Sequence, residues 1–188
     1  MNKKIMMIFM ACLLNSTPLV STIATVNNEP ITDADILITS KSFGVSENDA
    51  LQLLIKNKII LSAAKKYQIN ASFLEVEDFI KQLAQKNNMS YEAFVNTYKD
   101  SIDVIKENAK EEIIKDKLFE FIAQNTTKEV VEDDMLRFYE LNKDKMNGAT
   151  YEQVKSNIKM YLFNENAKEA VQSYMEKEES KAQIKMFR

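Results

Sequence analysis

Histidine is absent from this 188-residue chain, cysteine occurs once and glycine twice, and each shortage removes a class of chemistry. Without histidine there is no Ser-His or Cys-His nucleophile pair, and no imidazole to act as a base near neutrality or to ligate a metal. The one cysteine, Cys12, falls in an apolar N-terminal stretch. The body therefore lacks thiolate zinc sites and disulfides. Gly44 and Gly148 stand alone, whereas a phosphate-cradling loop needs several glycines so that its backbone can approach the ligand. Acids outnumber bases by 28 to 25, and no Lys or Arg block is interleaved with aromatics, so the footprint of a nucleic-acid binder is missing. No cofactor is expected, and binding functions stand above catalysis.

What remains is an ordinary globular composition, 45% hydrophobic and 28% charged. It is enough for one domain or two small ones, with roughly 70% of the unfolded surface removed from water on folding. Lys3 and Lys4 precede the unbroken run Ile5 to Leu14. That run has the length of a signal-peptide core and is too short to span a bilayer. Residues 1–21 are thus expected to be an export signal. Cleavage after Ser21 is preferred to cleavage after Ala24, because it leaves the β-branched run Thr22 to Val26 intact. Removing those residues takes away two lysines and no acid, so the net charge moves from −3 to −5. No second stretch is long enough to cross a membrane.

The body reads as helices between two terminal strands. Thr22 to Ile31 lacks helical period, ends at Pro30 and carries a turn at Asn27-Asn28, which predicts a short strand. Thr32 with Asp35, Ser46 with Asp49, Ser72 with Glu75, Thr126 with Glu129 and Thr150 with Gln153 each place a cap residue three positions before an acid or amide. Gly44 stops the first helix. The second, 47–67, carries apolar residues on more than one face and is expected to be surrounded. A third is expected over 73–87, a short one over 91–98 and a long one from Ile102 to Ala123. A second helical block is read as 128–143, a polar break over 143–149 and a long helix over 151–177. The tail from Lys181 to Phe187 alternates as a half-buried strand does, and its best partner is the N-terminal strand.

At this point the sequence resembles a known family. The run Ala24-Thr25-Val26-Asn27-Asn28-Glu29-Pro30-Ile31-Thr32 followed by Asp35 looks like the mature start of the SurA-like periplasmic chaperones. The likeness continues through Leu53-Leu54-Ile55-Lys56-Asn57-Lys58-Ile59-Ile60-Leu61 and Asn87-Asn88-Met89-Ser90-Tyr91-Glu92-Ala93-Phe94. It resumes at Tyr151-Glu152-Gln153-Val154-Lys155 and ends at Lys181-Ala182-Gln183-Ile184. The resemblance implies a mainly α, multi-helix domain of the SurA N-terminal type, with a small antiparallel pairing of its N- and C-terminal strands. It also implies that 22–126 form the N-terminal helical region and that 127–188 complete the same domain. Parvulin prolyl isomerase domains are inserted in such proteins. Here Tyr139 to Met146 looks like the way into that insertion and Tyr151 like the way out, with only Asn147 to Thr150 between. Glu178-Glu179 departs from the leucine the family tends to place there.

The implied function is an ATP-independent periplasmic holdase for unfolded, nascent or outer-membrane-bound polypeptides, without isomerase activity. Met135, Phe138, Tyr139, Met160, Tyr161 and Phe163 cluster near the junction of the two helical blocks and are the candidates for client binding, with two or three expected to be buried. Adaptable thioethers and aromatic faces suit an apolar client. The alternative is a non-catalytic assembly subunit that binds one folded partner, including a homodimer swapped through its terminal strand. The carboxylate runs Glu111-Glu112 and Glu132-Asp133-Asp134 read as solvated faces, because neighbours on a helix diverge by about 100° and do not converge on one ion.

Overall fold

A computed structural model describes residues 20–187. The expected signal segment up to residue 19, Cys12 included, lies outside the described residues. The elements run β1 (Thr22–Val26), β2 (Glu29–Thr32), α1 (Asp33–Phe43), α2 (Glu47–Lys66), α3 (Phe73–Lys86), α4 (Tyr91–Thr97), α5 (Ile102–Thr126), α6 (Glu132–Asn142), α7 (Tyr151–Lys181) and β3 (Ile184–Met186). The chain divides into two compact units, Phe119–Lys177 being one and the residues on either side of it the other.

In the flanking unit the three strands form an antiparallel sheet in the order β2-β1-β3, so the two ends of the described chain meet on the central strand. Asn27 and Asn28 both have positive φ, at 50° and 70°, as the tight turn of a two-residue hairpin requires. The hairpin partner β2 was not expected from the sequence, where Pro30 marks an end. Its proline is tolerated because the ring nitrogen faces the open edge. A bulge at Ile23 lets Thr22 pair with Thr32 while Ala24 pairs with Ile31. The expectation of a half-buried tail needs correction: all three residues of β3 are exposed.

Three helices begin where the cap pairs predict. Thr32 and Ser72 each close a full capping box, and Ser46 accepts from the Asp49 amide. Gly44 ends α1 at φ 63°, a left-handed conformation that costs glycine little. The Thr126 and Glu129 signal fails. The Thr126 hydroxyl donates to the Ile122 carbonyl at 2.7 Å and that of Thr127 to Ala123. These bonds extend α5, leave 127–131 non-helical and delay α6 to Glu132. The buried positions of α2 form one stripe, Leu51, Ile55, Ile59 and Ala63 with Ala50 and Ala64 beside it. Leu53 is exposed, so α2 is covered along one broad side and not surrounded.

Val76, Ile80, Leu83 and Ala84 of α3, Phe94 of α4, and Ile105 and Ala109 of α5 make a core cluster in this unit. Phe94 is fully buried, with its ring 4.7 Å from that of Tyr98. Burying a side chain of this size contributes about 1.5–3 kcal/mol relative to leaving it in water. Ion pairs fasten the rim. Lys117 reaches Glu75 at 2.7 Å, and Lys106 lies 2.6 Å from Glu77, which also accepts from the Tyr91 hydroxyl. The hydrogen bond from Lys117, then those from the Ser72 amide and hydroxyl, hold the Glu75 carboxyl at about 2, well below its ordinary 4.5. The ammonium of Lys106 and then the Tyr91 hydroxyl lower that of Glu77.

Glu178, in the last turns of α7, is buried and paired with Lys66 of α2, whose side chain is half exposed. A buried carboxylate loses hydration that one partially solvated cation restores incompletely, whereas an apolar side chain of similar volume pays no such penalty. Glu178→Leu is therefore expected to leave the melting temperature unchanged or raise it. Lys66→Met is expected to cost about 1–2 kcal/mol in urea unfolding, because it strands the carboxylate.

Groups with lowered carboxyl pKa values stabilise the folded state above their unfolded values, because below them the unfolded chain takes up more protons. Stability should consequently fall as pH drops from 4.5 towards about 2. Urea titrations across that window should show a shallower fall for Glu75→Gln than for the parent.

Candidate functional site

The second unit, Phe119–Lys177, carries all six candidate residues. Its core joins Val130, Met135 and Ile158, with Phe138, Tyr139, Met146, Tyr151, Val154 and Leu162 packed around them. The first turn of α6 is acidic, which suits the positive end of the helix. Val131 precedes it and supplies no side-chain cap. Glu132 meets α7 instead: its Oε1 accepts from the Tyr151 hydroxyl and from Lys155 Nζ, each at 2.7 Å. The Lys155 ammonium, and then the Tyr151 hydroxyl, lower the Glu132 carboxyl pKa. Loss of water around Tyr151, and then its bond to Glu132, raises the phenol.

Between α6 and α7 lie one 3-10 turn, Lys143–Lys145, and a tight reversal with Gly148 at φ 77°. The Tyr139 hydroxyl donates to the Ala149 carbonyl at 2.9 Å, and its ring stands edge-on to Tyr151 at 5.6 Å. The Thr150 amide donates to Gln153 Oε1 at 2.8 Å, which makes half of the predicted capping arrangement. This connection is closed by its own hydrogen bonds.

The six candidates divide into three settings. Met135 is buried and belongs to the core. Phe138 and Tyr139 are half-buried, Phe138 lying 5.1 Å from the Tyr161 ring. Met160, Tyr161 and Phe163 are exposed by 61%, 50% and 46%. Met160 and Phe163 line one side of an open groove of about 520 Å³ with Ser156 and Lys159, and Thr127, Glu129 and Val130 line the other. The helical wall is a stripe at i, i+3, i+4 and i+7. That spacing was legible for Ser156 and Lys159, which the choice by residue type passed over. Val130 was missed because its segment was expected to be helical. An amide hydrogen bond of 3.0 Å from Asn166 to the Lys128 carbonyl ties that segment to α7.

The groove offers apolar contact with one acid and one base at its rim. Its lining contains a single carboxylate, Glu129, so no pair of carboxylates converges there. Among the described residues no three acidic side chains gather as a metal site. The acidic runs have other occupations, since Glu111 accepts from Asn57 at 2.7 Å and Glu112 pairs with Lys115.

No family model and no curated protein matches the chain. A solved structure does, with a TM-score of 0.69 at 22% identity, covering 89% of this chain and all of the other. It comes from a study of the virulence factor PEB4 and the periplasmic protein Cj1289, two structurally related SurA-like chaperones in Campylobacter jejuni. At that identity the likeness speaks for architecture, and the architecture of this chain is the SurA-like chaperone fold.

Proposed function

We propose that the chain is an exported holdase chaperone that grips unfolded polypeptides by shallow apolar contacts, without ATP and without isomerase chemistry. The observation that carries this reading is the pair Met160 and Phe163, neighbours at i and i+3 that stand exposed on one wall of an open groove. Contiguous apolar surface of this kind marks interaction sites. The shared fold supports a chaperone role. Met160 and Phe163 are already about half covered, so their burial by a client supplies roughly 2–3 kcal/mol before the cost of association is subtracted. Binding of that order is weak and rapidly exchanging, as a holdase needs. It slows aggregation by lowering the free concentration of exposed segments.

Export is part of the same reading. A cut after Ser21 leaves every residue of β1, whereas a cut after Ala24 removes a fully buried member of the central strand. Among the described residues no helix is long and apolar enough to cross a membrane.

Replacing Met160, Tyr161 and Phe163 together by serine should leave the melting temperature nearly intact and abolish suppression of aggregation of a chemically denatured test protein. Full suppression by this variant would place client binding elsewhere. A wild type that binds one folded protein tightly and no unfolded ones would favour an assembly subunit. The closed connection from Met146 to Tyr151 leaves no inserted domain. A protease-coupled assay on a proline tetrapeptide should accordingly show no acceleration over the uncatalysed rate.

A further inference from the structure

The sheet ends in two free edges of different character. In the hairpin the hydrogen-bonded pairs are Val26 with Glu29 and Ala24 with Ile31, so the backbone of Pro30 between them faces away from β1. Proline has no N–H, and a further strand finds that edge blocked. On the other side, the Phe187 amide donates to the Ile23 carbonyl at 2.8 Å and the Asn27 amide to the Gln183 carbonyl at 2.9 Å. These bonds fix the phase of the ladder. Residues 183, 185 and 187 turn towards β1, and the N–H and C=O groups of Ile184 and Met186 point outward. Among the described residues no fourth strand meets them.

The side chains at this edge are also unpartnered. Ile184 stands opposite Val26 and Met186 opposite Ala24, so all four share one face of the sheet. Val26 and Ala24 are completely buried, yet Ile184 and Met186 are 44% and 57% exposed. The apolar layer therefore runs beyond its cover at the edge that is open for hydrogen bonding. Lys185, between them, projects from the opposite face and is exposed.

We infer that β3 is a strand-addition site. An extended segment pairs antiparallel with it, setting apolar side chains against Ile184 and Met186 and an acidic one opposite Lys185. A second copy of the chain does not fit. A two-fold pairing centred on Lys185 places two ammonium groups directly opposite, which is destabilising. Any other centre pairs Ile184 or Met186 with a position outside the partner's three-residue strand. The occupant is an alternating apolar and acidic stretch of another polypeptide. The inference deepens the chaperone reading and rests on it for the source of such segments, while the geometry stands apart from it.

The test uses the isotopically labelled chain without residues 1–21 and the acetylated, amidated peptide Ser-Thr-Val-Glu-Val-Thr-Ser. Its addition should shift the amides of Ile184 and Met186 and slow their hydrogen exchange. Methylating the two valine nitrogens should weaken binding at least tenfold, because the valines then donate no hydrogen bond. Replacing the peptide's glutamate by lysine should weaken it at least threefold, and Lys185→Glu should reverse that preference. Met186→Pro deletes an outward N–H without touching the bonds to β1, and should weaken binding at least tenfold. If that variant fails to fold, the methylated peptide on the wild type decides. Equal binding of the parent and methylated peptides overturns the proposal. So does protection of Ile184 and Met186 in dimers formed without peptide, or a response confined to Met160 and Phe163. The serine variant of the groove should still bind the peptide. Loss of aggregation suppression there, with the β3 response retained, separates the two sites.

Discussion

Asn27 holds together the part of the molecule in which the chain ends meet. Its positive φ turns β1 into β2, its amide donates to the Gln183 carbonyl at 2.9 Å, and its side-chain oxygen accepts from the Gln183 amide at 3.0 Å. The side-chain nitrogen donates to the Ser62 hydroxyl of α2 at 3.1 Å. One residue thus reverses the hairpin, clamps the returning C-terminal strand and fastens both to the helix beneath. Of the common residues only asparagine combines tolerance of the left-handed region with a donor and an acceptor on a short side chain. Glycine would keep the turn and the backbone bond to Gln183 and lose the two bonds made by the side chain.

That clamp makes β1 the central strand and leaves the sheet with edges on both sides. The edge of β2 is closed by Pro30, and the edge of β3 is held back only by its shortness and by Lys185. Short length and a lysine are the usual protections of an edge against indiscriminate pairing. They select by charge and do not exclude every partner, which is the difference between a surface that aggregates and one that recognises. The groove on α7 differs in kind, since Met160 and Phe163 offer area without direction. Side-chain contact tolerates any apolar sequence, whereas backbone pairing demands an extended one.

Much of this architecture was legible in the sequence, for reasons that differ by residue. Thr32, Ser46 and Ser72 worked as predicted because each is followed by an acid at the spacing its amide bonds require. Thr126 misled because its hydroxyl had a second option, the carbonyl four residues back in a helix already formed. Pro30 concealed β2, since the sequence cannot tell which way a backbone nitrogen faces. The two-helix reading of the second block was sound in kind, but the segment 127–131 that completes the groove was hidden by the pairing of Thr126 with Glu129, which sets the helix start too early. Exposure was the least legible property. Met135 and Met160 look alike in a helical pattern, and packing alone made one core and the other surface.

The carboxylates bear on the question of catalysis through their protonation. A general acid at neutral pH needs a carboxyl pKa raised towards neutrality by burial or by a neighbouring negative charge. Glu29, Glu75, Glu77 and Glu132 are all shifted the other way, each by a lysine that donates to it. They are held ionised and carry no proton to give. Three of those lysines lie on a different helix from their acid, Lys117 and Lys106 reaching α3 from α5 and Lys155 reaching α6 from α7. Exposed pairs of this kind contribute little stability individually. Their geometric effect is larger, because each fixes how one helix lies against the next. Lys117, Lys106 and Lys155 thus bridge one helix to the next, whereas Met160 and Phe163 stand exposed beside the groove.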